Sequence, residues 1–355
     1  MKKLSILFFS LFFISISSQE NIKYQKPSKE ILDLVEFERP PSILYDENKN
    51  FMLFLFRDNY KSIAELSAKE LRLGGLRIDP KTNIGSRITY YNNVKIRNLK
   101  NQKSEITQVK GLPKNPKLSN ISWSPDQKRI ALTNTTETGV ELWVLELENG
   151  SVTKLTEPNL NSNIGSVINW FSDSENMLVK MISNNRRPLI DTNKIVPDGP
   201  TISTNFGEKA QNRTYQDLLK NKFDEHNFEQ LSTSTIYKVS IDGSVKKWMD
   251  DGMYRTISFS PNGEYVMISQ INKPFSYLVT YSRFPTETNI YNKDGDFVSN
   301  LQKVPLIEEL PKGFMSVRTG KRSFSWRPDK AASLTYVTAL AVSYTHLTLP
   351  TTIEV

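Results

Sequence analysis

Residues 120–133 read NISWSPDQKRIALT. An aromatic residue, Trp123, is followed by Ser-Pro-Asp, a polar turn and an alternating run. Pro presets the φ of a turn and Asp hydrogen-bonds its own backbone two residues on. The flanking segments therefore read as two strands of a hairpin whose alternation leaves one face apolar. A hairpin cannot bury that face alone, so copies of it must stack.

Copies are present. VINWFSDSENMLVK occupies 167–180, TISFSPNGEYVMIS 256–269 and SFSWRPDKAASLTYV 323–337, and a degenerate copy, SILYDENKNFMLFLF, occupies 42–56. Trp123 and Trp170 are 47 residues apart, Trp170 and Phe259 are 89, and Phe259 and Trp326 are 67. A period near 45 is that of a four-stranded propeller blade. Residues 139–156 and 234–249 read as the outer hairpins of such blades, each turning at a Gly. The expected fold is all-β, a β-propeller of six to seven four-stranded antiparallel blades over residues 42–340, with a short helical arm and one helical insertion. A β-sandwich is the rival, although one sandwich rarely needs this many hairpins.

Two stretches break the rhythm. Residues 184–212 are polar and turn-rich and read as a long loop between blades. RTYQDLLKNKFDEHNFEQL, 213–231, reads as a helix with Thr214 as N-cap and Leu218, Leu219 and Phe228 turned inward. The two form an insertion over 184–231 of the kind that serves a partner or a second domain. Ahead of the propeller, residues 19–41 form a polar arm. Its segment PSKEILDLVEFERPP carries Ser28 as N-cap and an Ile31/Leu34/Val35 stripe, and Pro40-Pro41 ends it.

Composition narrows the classes. Hydrophobic residues at 38% and charged residues at 24% are those of a soluble globular chain. The 46 basic and 38 acidic residues are scattered, with no dense basic block among aromatics, so nucleic acid is not an expected partner. The absence of Cys excludes disulfides, thiolate metal sites and a Cys nucleophile. Asp126, Asp173 and Asp329 follow single turns without clustered carboxylates, which argues for solvated turn residues over calcium ligands. No metal and no cofactor is expected. Residues 1–18 show a basic start at Lys2 and Lys3, an apolar run and a small-x-small cleavage site at Ser15-Ile16-Ser17, the layout of a secretory signal peptide. The alternative is an uncleaved N-terminal anchor. The signal reading implies an exported protein, periplasmic or extracellular, without membrane attachment after cleavage.

ELRLGGLRIDPKTN (70–83), SWSPDQKRIALTNTTETGVELWVL (122–145), RTYQDLLKN (213–221), PFSYLVTYSRFPTE (274–287) and VRTGKRSFSWRPDKAASLTYV (317–337) are more specific than a propeller turn. On these strings the chain resembles, from about Tyr24 to Leu340, the N-terminal part of exported bacterial serine peptidases of the prolyl oligopeptidase superfamily, glutamyl endopeptidase-like branch. The resemblance implies a propeller that gates peptide access to a covalently linked α/β-hydrolase domain, with the 19–41 arm packing back on that domain. It implies a hydrolase bearing a G-x-S-x-G nucleophile elbow, then Asp, then His. It also makes Arg283, in TYSRFP, and Arg318, in VRTGKR, candidates for gripping a substrate carboxylate, against the plainer role of structural ion pairs or backbone clamps. Tyr277 and Tyr281 are expected to pack between blades.

The sequence departs from that pattern at the catalyst. It contains no G-x-S-x-G, and of its two His, His226 lies on the expected helix and His346 in the tail. Without a general base and nucleophile this chain is expected to be inactive alone. The tail, 341–355, has no Lys or Arg, and residues 342–351 can be back-translated into a sequencing-library adapter whose continuation supplies Val355 and a stop codon. These residues are expected to be adapter-derived rather than native. The alternative function is a stand-alone periplasmic propeller acting as a binding module. A propeller enzyme with its site in the central channel would need a carboxylate or His cluster that the sequence does not show.

Overall fold

The five Ser-Pro-Asp-type turns close with one hydrogen-bond pattern. In each, the N–H of the first residue reaches the carbonyl five residues on, or six in the last turn, and the N–H of the fourth returns to the carbonyl of the first. The first residues are Asp46, Ser124, Phe171, Ser260 and Arg327. The fourth position takes the left-handed conformation in four of them, at Lys49, Gln127, Ser174 and Gly263. Only Gly263 is a glycine there; the other three hold the strain because the flanking strands over-determine the turn. Ser124 and Ser260 add a side-chain lock, each hydroxyl accepting the N–H five residues on. In the first copy the Asp46 carboxylate accepts from Phe51 N at 2.6 Å instead.

The computed structural model describes residues 26–101, 103–191, 194, 215–309, 317–341, 344–347 and 351–354. The expected signal peptide, the Thr214 cap and much of the 184–212 loop lie outside the described residues. Residues up to Pro40 and those from Pro41 form two separate units. In the first, helix α1 (Lys29–Val35) follows Ser28 as expected and stops short of Pro40-Pro41, but the Ser28 side chain makes no cap bond, and Ile31, Leu34 and Val35 are exposed.

The second unit is built from four-stranded antiparallel sheets. The first combines β1 (Ser42–Tyr45), β2 (Phe51–Phe56), β6 (Asn93–Asn98) and β7 (Thr107–Gln108). Between β2 and β6 the chain inserts α2 (Ile63–Leu66), β3 (Leu71–Leu73), β4 (Leu76–Asp79) and β5 (Ile84–Gly85). The second contains β8 (Leu118–Trp123), β9 (Arg129–Thr135), β10 (Val140–Glu146) and β11 (Ser151–Lys154). The third contains β12 (Ile168–Trp170), β13 (Asn176–Ile182), β14 (Ser234–Ser240) and the first half of β15 (Val245–Phe259). Helix α3 (Lys222–Ser232) precedes β14. The second half of β15 opens the fourth sheet with β16 (Tyr265–Ile271), β17 (Thr286–Asn292) and β18 (Phe297–Val304). The changeover falls between Gly252, paired to β14, and Met253, paired to β16. The fifth begins with β19 (Arg322–Trp326) and β20 (Ser333–Val337). β21 (Ala339–Ala341) pairs with β22 (Tyr344–Leu347), and β23 (Thr351–Glu354) pairs with β20.

Strand alternation explains why these sheets stack face to face. Successive residues of a strand point to opposite faces. In β9, Ile130 and Leu132 join a core with Phe51, Leu53 and Ile96 of the first sheet, while Ala131 joins one with Trp170, Met177 and Val179 of the third. In β13, Leu178 turns the other way, toward Tyr254, Val266 and Ile268 of the fourth. In β16, Met267 meets Leu334 of the fifth. Second strands are thus buried on both faces, which makes them near-continuous apolar runs. Turns stack as well. Asp126 N donates to Ser174 Oγ at 2.9 Å, and Asn262 N to Ala331 O at 3.1 Å. Trp170 Nε1 donates to Ser122 O at 3.2 Å, and Trp326 Nε1 repeats the bond to Ser258 O at 3.1 Å. Trp170→Phe should therefore lower stability by about 1–2 kcal/mol in urea unfolding, since it leaves the Ser122 carbonyl without its donor.

These are blades of a β-propeller. Among the described residues four of them have all four strands and a fifth begins with β19 and β20. Long connections lie inside the first, third and fourth. The 184–231 insertion in particular lies within the third blade, not between blades, because β13 pairs directly with β14, Asn176 opposite Ser240. Its helix is also shorter than expected. It starts at Lys222, where the Asn221 side chain accepts from Phe223 N and Asp224 N, because Asp217 sits at φ 59° and interrupts the backbone before it.

Candidate functional site

In an antiparallel four-stranded blade, the first-to-second connection lies at one end and the second-to-third at the other. The link from a fourth strand to the next first strand emerges at that other end too. The Ser-Pro-Asp-type turns occupy the first end. The connections that follow β2, β13, β16 and β18 leave and rejoin the blades at the second. Four of the five family-like strings fall in or overlap these connections, so segments scattered through the sequence share one face.

Three of those connections fuse into one body. Leu73 and Ile78, Leu219 and Phe228, and Phe275 and Phe284 share a buried core. Phe228 is its hub, fully buried, with ring centroids 5.1 Å from Phe275 and 5.5 Å from Phe284, both edge-on. The GG of ELRLGGLR is required at this contact. Gly74 and Gly75 have φ of 59° and 90°, and a Cβ on Gly75 would lie 2.7 Å from Thr280 Cγ2. Gly75 N donates to Asp217 O at 2.8 Å, and Tyr281 N to Gly74 O at 2.7 Å, so all three connections are also bonded through backbone. Above the core, Arg77 and Arg72 meet Glu70 and Asp217 in a small ion-pair network. Tyr277 OH donates to Glu225 Oε1 at 2.6 Å. Burial first, then that carboxylate, raises the Tyr277 pKa. Tyr277 and Tyr281 pack on this body rather than between blades.

The fourth connection adds a cleft of about 340 Å³ between Gln302–Ile307 and Arg318–Lys321. The two arginine candidates both adjoin its 302–307 wall, in different ways. The Arg283 carbonyl accepts from Ile307 N at 3.0 Å, but its guanidinium stacks over Tyr215, 5.3 Å from the ring centroid. Arg318 lines the cleft itself, its Nη2 donating to Gln302 Oε1 at 3.3 Å and its Nη1 to Thr319 O at 3.1 Å. Partial burial, and then the neighbouring Arg322, lower the Arg318 pKa.

Matching against protein-family models finds none that fits. The chain is 33% identical over 326 residues to a protein of Oryza sativa subsp. japonica described as "Probable glutamyl endopeptidase, chloroplastic", a match over 88% of this chain and 34% of that one. A protein of Arabidopsis thaliana with the same description is 32% identical over 327 residues, covering 88% and 33%. The chain spans about a third of the length of these curated relatives. Among solved structures, the acylaminoacyl peptidase of Pyrococcus horikoshii aligns with a TM-score of 0.40 at 12% identity, over 88% of this chain and 37% of that one.

The remaining candidates go elsewhere. His226 Nε2 lies 2.9 Å from Pro188 O, and none of the hydrogen bonds described for it is to a serine. Asp173 accepts from the N–H groups of Glu175 and Asn176, Asp126 from the Ser124 hydroxyl, and Asp329 from Arg327. Sequence reasoning missed the cationic company of Arg318. Lys321 stood in the same quoted string, VRTGKR, and could have been found there; Lys303 could not, since only the fold brings β18 alongside it.

Proposed function

We propose that this chain is the propeller portion of a serine peptidase that acts on peptides, its α/β-hydrolase domain lying outside these residues and its propeller restricting access to the active site. The observation that carries this reading is the gathering of four long connections on one face. A stacked propeller needs none of them for stability, since the second blade joins β9 to β10 in a few residues, and long connections are usually functional. Such a face suits a linked domain. Residues 1–18 as an export signal and 341–355 as adapter-derived sequence belong to the same proposal.

The chain on its own should show no hydrolysis of a fluorogenic peptide panel. Turnover blocked by a serine-directed inhibitor would overturn that expectation. Reading the source DNA through the codon of Leu340 should reveal an open frame leading to a G-x-S-x-G elbow. A genomic stop directly after residue 355 would instead favour the free-standing binding module.

A further inference from the structure

Arg186 follows β13 in the tight turn that opens the third blade's long connection, its N–H donating to Ser183 O at 3.2 Å. Its side chain is half-buried, and among the described residues it forms no ion pair, whereas that of Arg187 is exposed and lies 3.9 Å from Glu229. Burial lowers the Arg186 pKa, and no carboxylate offsets that. The group it does touch is a neutral amide. Arg186 Nη1 donates to Asn83 Oδ1 at 2.9 Å. The carboxamide is planar, so the Asn83 NH2 group stands beside the guanidinium. Asn83 is only 1% exposed, and its Nδ2 has no acceptor among the described residues. The Thr82 hydroxyl next to it is buried and unpaired in the same way. The backbone holds this arrangement: Asn83 sits at φ 59°, its carbonyl accepts from Ser162 N at 3.1 Å, and Ile84 bridges Ser162 in parallel. The first blade's insertion, the link between the second and third blades, and the third blade's connection thus converge on one cluster of donors.

Buried donors left unmade and a desolvated charge left unbalanced both cost free energy. Water would pair the amide and the hydroxyl but leave the guanidinium uncompensated. An anion answers all three groups. The near-complete burial of Asn83 and Thr82 favours an ion without a covalent stem, and the single arginine favours one negative charge. A guanidinium is weakly hydrated for a cation, which suits a weakly hydrated anion. We infer that Arg186, Asn83 and Thr82 form a binding site for a monovalent halide, chloride in ordinary solution. The ion ties the first blade's insertion to the third blade's connection, so chloride tightens the face on which the long connections gather.

The test is urea unfolding of the full 355-residue chain at constant ionic strength, sodium gluconate being replaced stepwise by sodium chloride. Above its dissociation constant, chloride should raise the folded-to-unfolded ratio about tenfold for each tenfold rise in concentration. Arg186→Gln should remove that dependence, whatever it does to stability itself. Asn83→Asp is the discriminating variant, since aspartate keeps the shape, tolerates the left-handed backbone and supplies the missing charge covalently. It should be at least as stable in gluconate as the native chain, and indifferent to chloride. Lys180→Met removes a different buried cation, whose ammonium contacts the Ile164 carbonyl, and should keep the native dependence. In crystals grown with sodium bromide, anomalous scattering should place the halide against Arg186 and Asn83 Nδ2. Stability that ignores chloride would overturn the inference and leave ordinary water on these groups. A chloride dependence that survives in Asn83→Asp, or bromide bound elsewhere and not here, would overturn it as well, as salt acting on the surface at large. None of these outcomes bears on the peptidase reading, which stands or falls by its own experiments.

Discussion

Lys180→Met should stabilise the protein, by about 2–4 kcal/mol near neutral pH, and should flatten its stability between pH 7 and 10. Lys180 sits in the middle of β13 and is only 2% exposed. Its ammonium contacts the Ile164 carbonyl and forms no ion pair among the described residues. Burial alone pushes its pKa down to about 7. In the unfolded chain the same amine keeps its proton up to the ordinary lysine range, near 10.4. Between those two values the unfolded state binds more protons, so stability rises with pH across that window, by at most ~1.4 kcal/mol per unit. Below pH 7 both states are protonated and the cost of the buried charge is present in full. Methionine fills a similar volume with no charge to desolvate. Urea unfolding followed by tryptophan fluorescence at pH 7 and pH 9 should show the native chain gaining stability and the variant unchanged. Equal slopes for the two proteins would sink the prediction.

Phe228→Ala should have an effect of similar size and opposite sign, a loss of about 3–5 kcal/mol, because it removes a fully buried ring and leaves a cavity that three connections share. The loss should be local in its consequences. Segments 70–85 and 272–285 are held against α3 by this ring, so limited proteolysis of the variant should cut there before it cuts the blades. Lys222→Ala, nearly two turns away on the exposed side of α3, should change stability by less than about 1 kcal/mol, since it ends an i,i+3 surface pair with Glu225 and an exposed cation–π contact with Tyr277. If both variants unfold and are cleaved alike, Phe228 is not the hub of that body.

The blades were legible in the sequence for a local reason. Trp170, Asp173 and Met177 to Ile182 lie within thirteen residues, and turn chemistry and alternation are short-range signals. Where the long connections go was not legible. Residues 184–231 look the same whether they link two blades or two strands of one blade, and what decides is the register of Asn176 against Ser240, more than sixty positions apart in the chain. Asp217 was read as part of a helix. Its left-handed backbone follows from its bonds to Gly75 and Arg77, which lie far away in sequence. For the cleft, Arg318 stood in a recognisable string, whereas its rim residue Lys303 belongs to an ordinary outer strand. The stacking of Arg283 on Tyr215 has no sequence signal.

The uninterrupted run of β15 has a mechanical side. Its residues pass from the outer edge of the third blade to the first strand of the fourth without a spare residue between Gly252 and Met253. These two blades are tethered with no slack and must travel as a pair. Between the fourth and fifth blades the chain passes from β18 to β19 by way of 305–321, and among the described residues the core there contains only Met267, Ile290 and Leu334 as buried residues. Any force that spreads the propeller will spend itself on that seam first, beside the Arg318 cleft, and only last on the joint that β15 bridges.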